Sequence, residues 1–565
     1  MTTWPASLPR PVFGGYALDP LEPAIRTDME AGSPRNRRRS KARNDRINVS
    51  WKLTDREMMI FRAWFDYDGG AAGGTAWFDI LLAYGDLGLK TRECRFSGIY
   101  KATPQAGLIW TVTASLEVRG GELTADQMLG AVLGLVSADG IYPTLTLDFA
   151  ADLALDSRIA FTRASVATYF DAAGVMRTAA LSVPRFDHDP LTGESLGLLL
   201  EESRTNYIAN TDTTASSAVV SIGTAIGPDG VTAYKVVPNL GAVALPSRGS
   251  AATQQMALAT TEGQTTDISF SGYFAGTGPL AYRANIVVMA DISGASQLYA
   301  LLQFDPVAGT FHTKTLNTGW SELTAPVATL MPCGMWRVTW SVRYTQQATL
   351  RTAIKTQFQI HDQTGASSYT ADGSSGVQYA CMQLERGAYP TSYFPTTTAP
   401  AARSADSASM TGANFSSWYN QLNGTFLFNG RSGNGAVLYG VGTPAIAFAA
   451  AETIYSTVGS SGNISTAVLD GGVSQNNMAS VPVAGLIKHA FAYEQHNLGA
   501  AVGGVMIGTD TVATVPTPNQ LIIGGAFGLW SGGSAGSNAI NKPIARLVYW
   551  PARLPNAELR SFSLA

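Results

Sequence analysis

The sequence is poor in charge, cysteine and histidine. Charged residues fill 14% of its 565 positions while aromatics reach 10%, against about 25% charged in an average soluble protein. Disorder needs high charge and few aromatics, so that class is excluded. A coiled coil or helical bundle would be rich in Glu, Lys and Leu, which excludes those too. The three cysteines, Cys94, Cys333 and Cys381, lie far apart. That spacing indicates neither a disulfide framework nor a zinc knuckle and suits folding in a reducing cytoplasm. Long apolar runs are also missing: the longest, Met128 to Val136, is far short of the ~20 residues that span a bilayer. The opening MTTWPASLPRP lacks the apolar core of a signal peptide, so neither a leader nor a membrane span is expected. No HExxH or P-loop pattern occurs among the five histidines and the glycines. The expectation is therefore no enzyme, with no catalytic, cofactor-binding or metal-binding residue.

What is present reads as β. Gly supplies 58 positions and Pro 27, so turn formers punctuate a chain with Val, Thr, Ser and Tyr throughout. The length predicts roughly three or four domains. The expected fold class is mainly β and multidomain: a small α+β N-terminal module followed by two β-sandwich (jelly-roll) domains. In residues 1–120, Ile47, Val49, Trp51 and Leu53 alternate as in a half-buried strand. Thr54–Glu57 has capping-box spacing, with Met58, Phe61 and Phe65 following at helical intervals. Strands are expected over Glu93–Lys101 and Ile109–Arg119. Residues 121–147 read as a helical connector, with a second capping box at Thr124–Gln127 and an apolar stripe of Met128, Val132 and Leu135. Residues 148–206 read as a short β-rich linker segment. From 207 to 395 strands recur every 8–15 residues, which suggests a sandwich. Residues 396–405 form a linker by composition, and 406–565 repeat the sandwich rhythm.

Charge is uneven. Residues 1–120 hold 17 Lys/Arg against 13 Asp/Glu, and the remainder 21 against 28. Most of the positive excess is Arg35, Arg37, Arg38, Arg39, Lys41 and Arg43. No aromatic lies among them to stack on bases and the rest of the chain is acidic, so no nucleic-acid partner is expected. A subunit interface fits better, because arginine pairs bidentately with carboxylates; a solvated loop is the bland alternative. Catalytic pairs are hard to find. Glu201 and Glu202 are adjacent, so on a strand they face opposite ways. Asp187 and Asp189 flank His188 in a turn composition where Asp caps its own backbone. Asp470-Gly-Gly reads as a hairpin turn rather than a calcium loop. Sugar recognition uses exposed aromatic faces. The candidate glycan contacts are Trp320, Trp418, Tyr419 and Trp530, with core packing as the alternative.

Several stretches carry a resemblance. Trp4-Pro5, Arg26-Thr-Asp-Met-Glu30, the arginine run and Leu116-Glu-Val-Arg119 resemble an assembly module of long-tailed bacteriophages. Phe161–Tyr169, Pro184–Pro190 and Gly197–Asn206 are similar to a segment common in phage tail-fibre and appendage proteins. Gln383–Gly387, Pro390–Pro395 and Arg403-Ser-Ala-Asp406 resemble the last strand and exit of carbohydrate-binding-type jelly rolls in those proteins. Lys488–Tyr493, Leu521–Gly525 and Ile544–Tyr549 resemble a laminin-G or concanavalin-like sandwich. The resemblance implies a structural virion protein of a phage tail, assembled in the host cytoplasm. It would be anchored through its N-terminal module to other tail proteins and present its sandwiches to host-surface polysaccharide. It also implies a homo-oligomer, a trimer or ring. A purely architectural tail-tip, collar or capsid-decorating protein is the first alternative, and a glycan depolymerase the second.

Overall fold

The computed structural model describes residues 2–564 apart from 20–23, 28–34, 39–44, 85–88, 120–122, 209–213, 216–218, 227, 229–231, 245–246, 250–255, 259, 292–297, 398, 432–435, 444–451, 460, 484 and 526–539. The chain is mainly β and divides into two compact units, Met1–Tyr142 and Pro143–Ala565.

In the first unit the alternating residues lie on the strand Asp45–Thr54, and Ile47, Val49, Trp51 and Leu53 are all fully buried. This strand pairs antiparallel with Ile109–Val118 along its whole length. The helix Asp55–Asp66 starts where Thr54 Oγ1 accepts the Glu57 N–H and Glu57 Oε2 accepts the Thr54 N–H, closing the capping box. Met58, Phe61 and Phe65 then turn onto the sheet, and Trp4 stacks on Trp51 with centroids 5.0 Å apart. Two expectations change in detail. The strand starting near Glu93 runs Leu89–Phe96 and stops before Gly98, and Lys101–Gln105 pairs separately with Ile109–Val118. The second capping box forms on Ala125–Val132, but Met128 and Val132 on its apolar stripe are exposed. That two-turn helix buries Gly130, and of the stripe only Leu135, just past its end, is buried.

The second unit holds two β-sandwiches. Among the described residues, the middle one pairs a seven-stranded with a six-stranded sheet, built from Thr214 to Arg386. Its strands Thr265–Thr277, Arg283–Asp291, Leu298–Asp305, Trp336–Thr345 and Ala353–His361 follow the alternation in the sequence. The last sandwich packs an eight-stranded against a seven-stranded sheet.

The last sandwich is discontinuous in sequence. Leu145–Asp148 and Ser195–Leu200 both pair with Lys542–Trp550, Arg185–His188 extends that sheet, and Ala160–Thr162 pairs with Ser407–Thr411 in the facing one. Residues 148–206 therefore contribute strands to the last sandwich instead of forming a separate linker. The middle sandwich is inserted between them and the remainder. Its incoming strand Arg204–Asn206 and outgoing strand Ala401–Arg403 pair with each other. The stretch 396–405 is thus partly a strand, with Arg403 fully buried. Pairing of the two connections explains why a composition typical of linkers is held rigidly here.

The central strands of the six-stranded sheet, Thr265–Thr277 and Gly376–Arg386, are largely buried on both faces. Phe270, Phe274, Val338, Trp340 and Leu384 point into the sandwich core. The alternate residues Ser269, Ser271, Ser341, Gln383 and Glu385 are buried too, on the opposite face. Small or hydrogen-bonding side chains on that face are what a junction with a second polar surface requires.

Candidate functional site

Polar residues of the 161–206 and 383–406 motifs converge on one buried ion network at the junction of the sandwiches. Asp406 Oδ1 accepts from Arg163 Nη1 at 3.0 Å, and its Oδ2 accepts from Arg185 Nη2 at 2.6 Å and from the Glu201 N–H at 2.8 Å. Glu201 Oε2 accepts from Arg185 Nη1 at 2.8 Å, while its Oε1 accepts the Ser392 N–H at 2.6 Å. Arg403 lies 3.5 Å from Glu201 and donates to the Glu202 carbonyl. Burial alone would raise the Glu201 carboxyl, but Arg403 and Arg185 outweigh it and hold it down at about 2. Glu385 accepts from the Thr391 N–H and hydroxyl, and Gln383 Oε1 accepts the Phe394 N–H, so the 390–395 turn is fastened to the same junction. Adjacent Glu201 and Glu202 do part: Glu202 pairs with Arg204.

Above this network a cleft of about 450 Å³ opens between the sandwiches. Glu201, Ser271, Tyr273 and Ser392 form its floor. Half-buried Tyr169 and Phe170, on the hairpin Ala167–Ala179, line it with aromatic surface. Three cations complete the lining: Arg337 from the middle sandwich, and Arg431 and Lys542 from the last. None of their side chains makes a hydrogen bond or ion pair among the described residues. Crowding by protein, with Arg337 and Arg431 nearby, lowers the Lys542 ammonium below its ordinary value although its stem is exposed.

Asp187 was read with Asp189 as a turn residue, and the structure separates them. Asp189 Oδ1 caps the turn by accepting the Leu191 and Thr192 N–H groups. Asp187 lies on the strand Arg185–His188, where its Oδ1 accepts the Phe170 N–H at 2.8 Å and its carboxyl faces the cleft. Desolvation pushes that carboxyl up from 3.8 to about 6. The folded state therefore binds the proton more tightly than the unfolded chain, a penalty absent below about pH 3.8 and complete above about 6. Asp187→Asn keeps an acceptor for Phe170. It should stabilise the chain by roughly 1–3 kcal/mol at pH 7, the gain fading as pH falls from 6 to 3.8. Thermal denaturation across that range checks this.

The predicted site residues fare differently. Arg35 and Arg37 are exposed on a hairpin formed by Ala24–Thr27 and Arg35–Arg38, and Arg38 lies on the same strand. Arg39, Lys41 and Arg43 lie outside the described residues, as does Trp530. Trp320, Trp418 and Tyr419 are corrected as glycan contacts. Trp320 is 7% exposed and packs on Tyr344 at 5.1 Å. Trp418 is 3% exposed, donates Nε1 to the Asn414 carbonyl, and meets Phe415 and Tyr549 edge-on. Tyr419 stacks on Phe415 at 4.6 Å and on Tyr549 at 5.6 Å. Their rings are spent inside the fold and offer no free face. Asp470 opens the hairpin Asn463–Asp470/Val473–Pro482. The residues missed from sequence are Asp187, Arg337, Arg431 and Lys542, which come from four separate strands and share no motif.

No family model matches the chain, and no curated protein matches it. Solved structures it is similar to include the carbohydrate-binding module CBM40 of a Ruminococcus gnavus IT-sialidase bound to α2,3-sialyllactose, at 15% identity and a TM-score of 0.23 over 26% of this chain and 85% of that one. Domains LG4-5 of the mouse laminin α1 chain match at 12% identity and a TM-score of 0.17 over 52% of this chain and 83% of that one. Trypanosoma rangeli sialidase in complex with sialic acid matches at 9% identity and a TM-score of 0.22, over 100% of this chain and 98% of that one. The last of these corrects the expectation of no enzyme. An enzyme is among the full-length neighbours, and the missing motifs do not exclude catalysis because glycosidase carboxyls come from separate strands. At such identities and scores, the neighbours assign this chain neither a ligand nor an activity.

Proposed function

We propose that this chain is a glycan-binding appendage protein, presenting the cleft between its two sandwiches to a surface polysaccharide. The observation that carries this reading is the cleft itself. It combines aromatic surface from Tyr169 and Phe170, hydroxyls from Ser271 and Tyr273, and cations without protein partners. Saccharides need that combination of apolar faces and convergent polar groups. The placement on a phage tail, with other virion proteins as partners of the N-terminal module, rests on the sequence motifs described above. Individual sugar contacts are weak, so a homo-oligomer, a trimer or ring, would supply avidity. The exposed Arg35 and Arg37 are the candidates for contact with neighbouring subunits.

Full-length protein on a microbial glycan array, together with binding to whole cells, tests the reading. At least one surface polysaccharide should be retained, and Tyr169→Ala should weaken it several-fold through loss of an aromatic face. Retention of no saccharide and no cell would overturn it. Assaying new reducing ends in the same samples reads whether binding is accompanied by cleavage.

A further inference from the structure

The geometry points to an acidic saccharide as the cleft's ligand: a sugar bearing one carboxylate or sulfate, held by Arg337, Arg431 and Lys542. The inference rests on the glycan-binding reading and narrows it to a ligand class. Several other cations of this unit have carboxylate partners. Arg185 and Arg163 are tied to Asp406, Arg343 to Asp267, Lys355 to Asp291 and Arg546 to Asp148. The three cleft cations have none among the described residues, yet they converge from three strands: Trp336–Thr345, Asn423–Arg431 and Lys542–Trp550. Lys542 feels both arginines electrostatically, so the three positive charges share one region, with Glu201 and Asp187 acting on Lys542 in the opposite sense. Like charges held together cost free energy that a bound anion reduces. The low-dielectric walls strengthen that attraction, and guanidinium groups match the planar fork of a carboxylate.

The cleft also holds negative groups, and their positions are consistent with this. Glu201 is neutralised by Arg185 and Arg403. Asp189 is occupied with its own turn. Asp187 faces the cleft while bonded to the Phe170 N–H. The anionic group therefore belongs at the Arg431–Lys542 rim, with the neutral ring hydroxyls reaching the Ser271 and Tyr273 side. Polar hydroxyls on the ligand match that side without needing a second charge.

Binding of full-length protein to three oligosaccharides tests this: a glucuronate-containing hyaluronan hexamer, a chondroitin sulfate hexamer and neutral cellohexaose. The acidic probes should bind at least tenfold more tightly than cellohexaose, and the affinity should fall with salt. Hyaluronan carries carboxylate alone and chondroitin sulfate carries both groups, so comparable binding of the two identifies the carboxylate as the group recognised, and tight binding of chondroitin sulfate alone identifies sulfate. Arg431→Gln and Lys542→Gln alter exposed side chains and should each weaken the acidic probes about tenfold and cellohexaose by much less. Arg560→Gln, at an exposed cation on the C-terminal helix, should change nothing. Equal binding of neutral and acidic probes, indifferent to both cleft variants, would overturn the ligand class and leave glycan binding standing. Binding of no probe, with an empty glycan array, would overturn both.

Discussion

Asp406→Ala is expected to destabilise the second unit by roughly 3–5 kcal/mol, the largest effect of any single polar substitution considered for this chain. The change leaves Arg163 without its carboxylate, halves the pairing of Arg185 and strips the Glu201 N–H of its acceptor. A buried charge that loses its partner keeps its full desolvation cost and forfeits the attraction that offset it. The strand pair Arg204–Asn206/Ala401–Arg403 should loosen with it, because Arg403 is held by the same carboxylates. Hydrogen exchange reads this directly. Protection should fall at 204–206 and 401–403, while the Ile47–Leu53 strand, which belongs to the other compact unit, serves as an unchanged reference. Protection at both connections indistinguishable from the native chain would show that the network does not hold the sandwiches together.

A second large effect is expected from acid, centred on His489. This residue sits fully buried in the last sandwich, with Nε2 2.9 Å from Thr466 Oγ1 and Nδ1 3.4 Å from Tyr439 OH. Desolvation pulls it from 6.5 down to about 3, so it is buried neutral. Its contribution is fully present above pH 6.5 and is lost as pH falls toward 3, at about 1.4 kcal/mol per pH unit and about 4–5 kcal/mol in all. Glu201, depressed from 4.5 to about 2, adds a loss in the same direction below pH 4.5. Asp187 acts oppositely between 6 and 3.8, which partly masks the histidine in the native chain. Comparison with His489→Gln removes that ambiguity. Relative to the native protein, the variant's stability should rise steadily on acidification below 6.5. Parallel stability curves for the two would show that His489 does not titrate with folding.

These two predictions concern groups whose importance no local pattern announces. His489 stands in Lys488–Tyr493, a stretch that reads only as an apolar strand. Its isolation comes from Thr466 and Tyr439, which the facing sheet brings from other strands. The sequence marked Arg163, Arg185, Glu201, Arg403 and Asp406 through motifs that resemble segments of phage appendage proteins. What it did not supply was their meeting point, because up to 243 residues separate partners in a single ion pair. The tryptophans illustrate the opposite error. Trp320 and Trp418 follow Gly or Ser in turn-like sequence, which suggested exposure, but aromatic area is the strongest apolar contribution available and the fold buried it.

Sequence alone determined the elements that depend on neighbours a few residues away. Alternation along Ile47–Leu53 and through the 265–361 strands set which faces turn inward, and Thr54/Glu57 and Thr124/Gln127 set where two helices begin. These follow from the two-residue pleat of a strand and the unsatisfied N–H groups of a helix start, both local. Tertiary structure decided that the last sandwich is assembled from both sides of an insertion, and that two connections pair to hold it. It also placed Asp187, Arg337, Arg431 and Lys542 around one cleft. Those outcomes depend on which distant surfaces bury each other, a choice made by summed area and charge over the whole unit rather than by any stretch of chain.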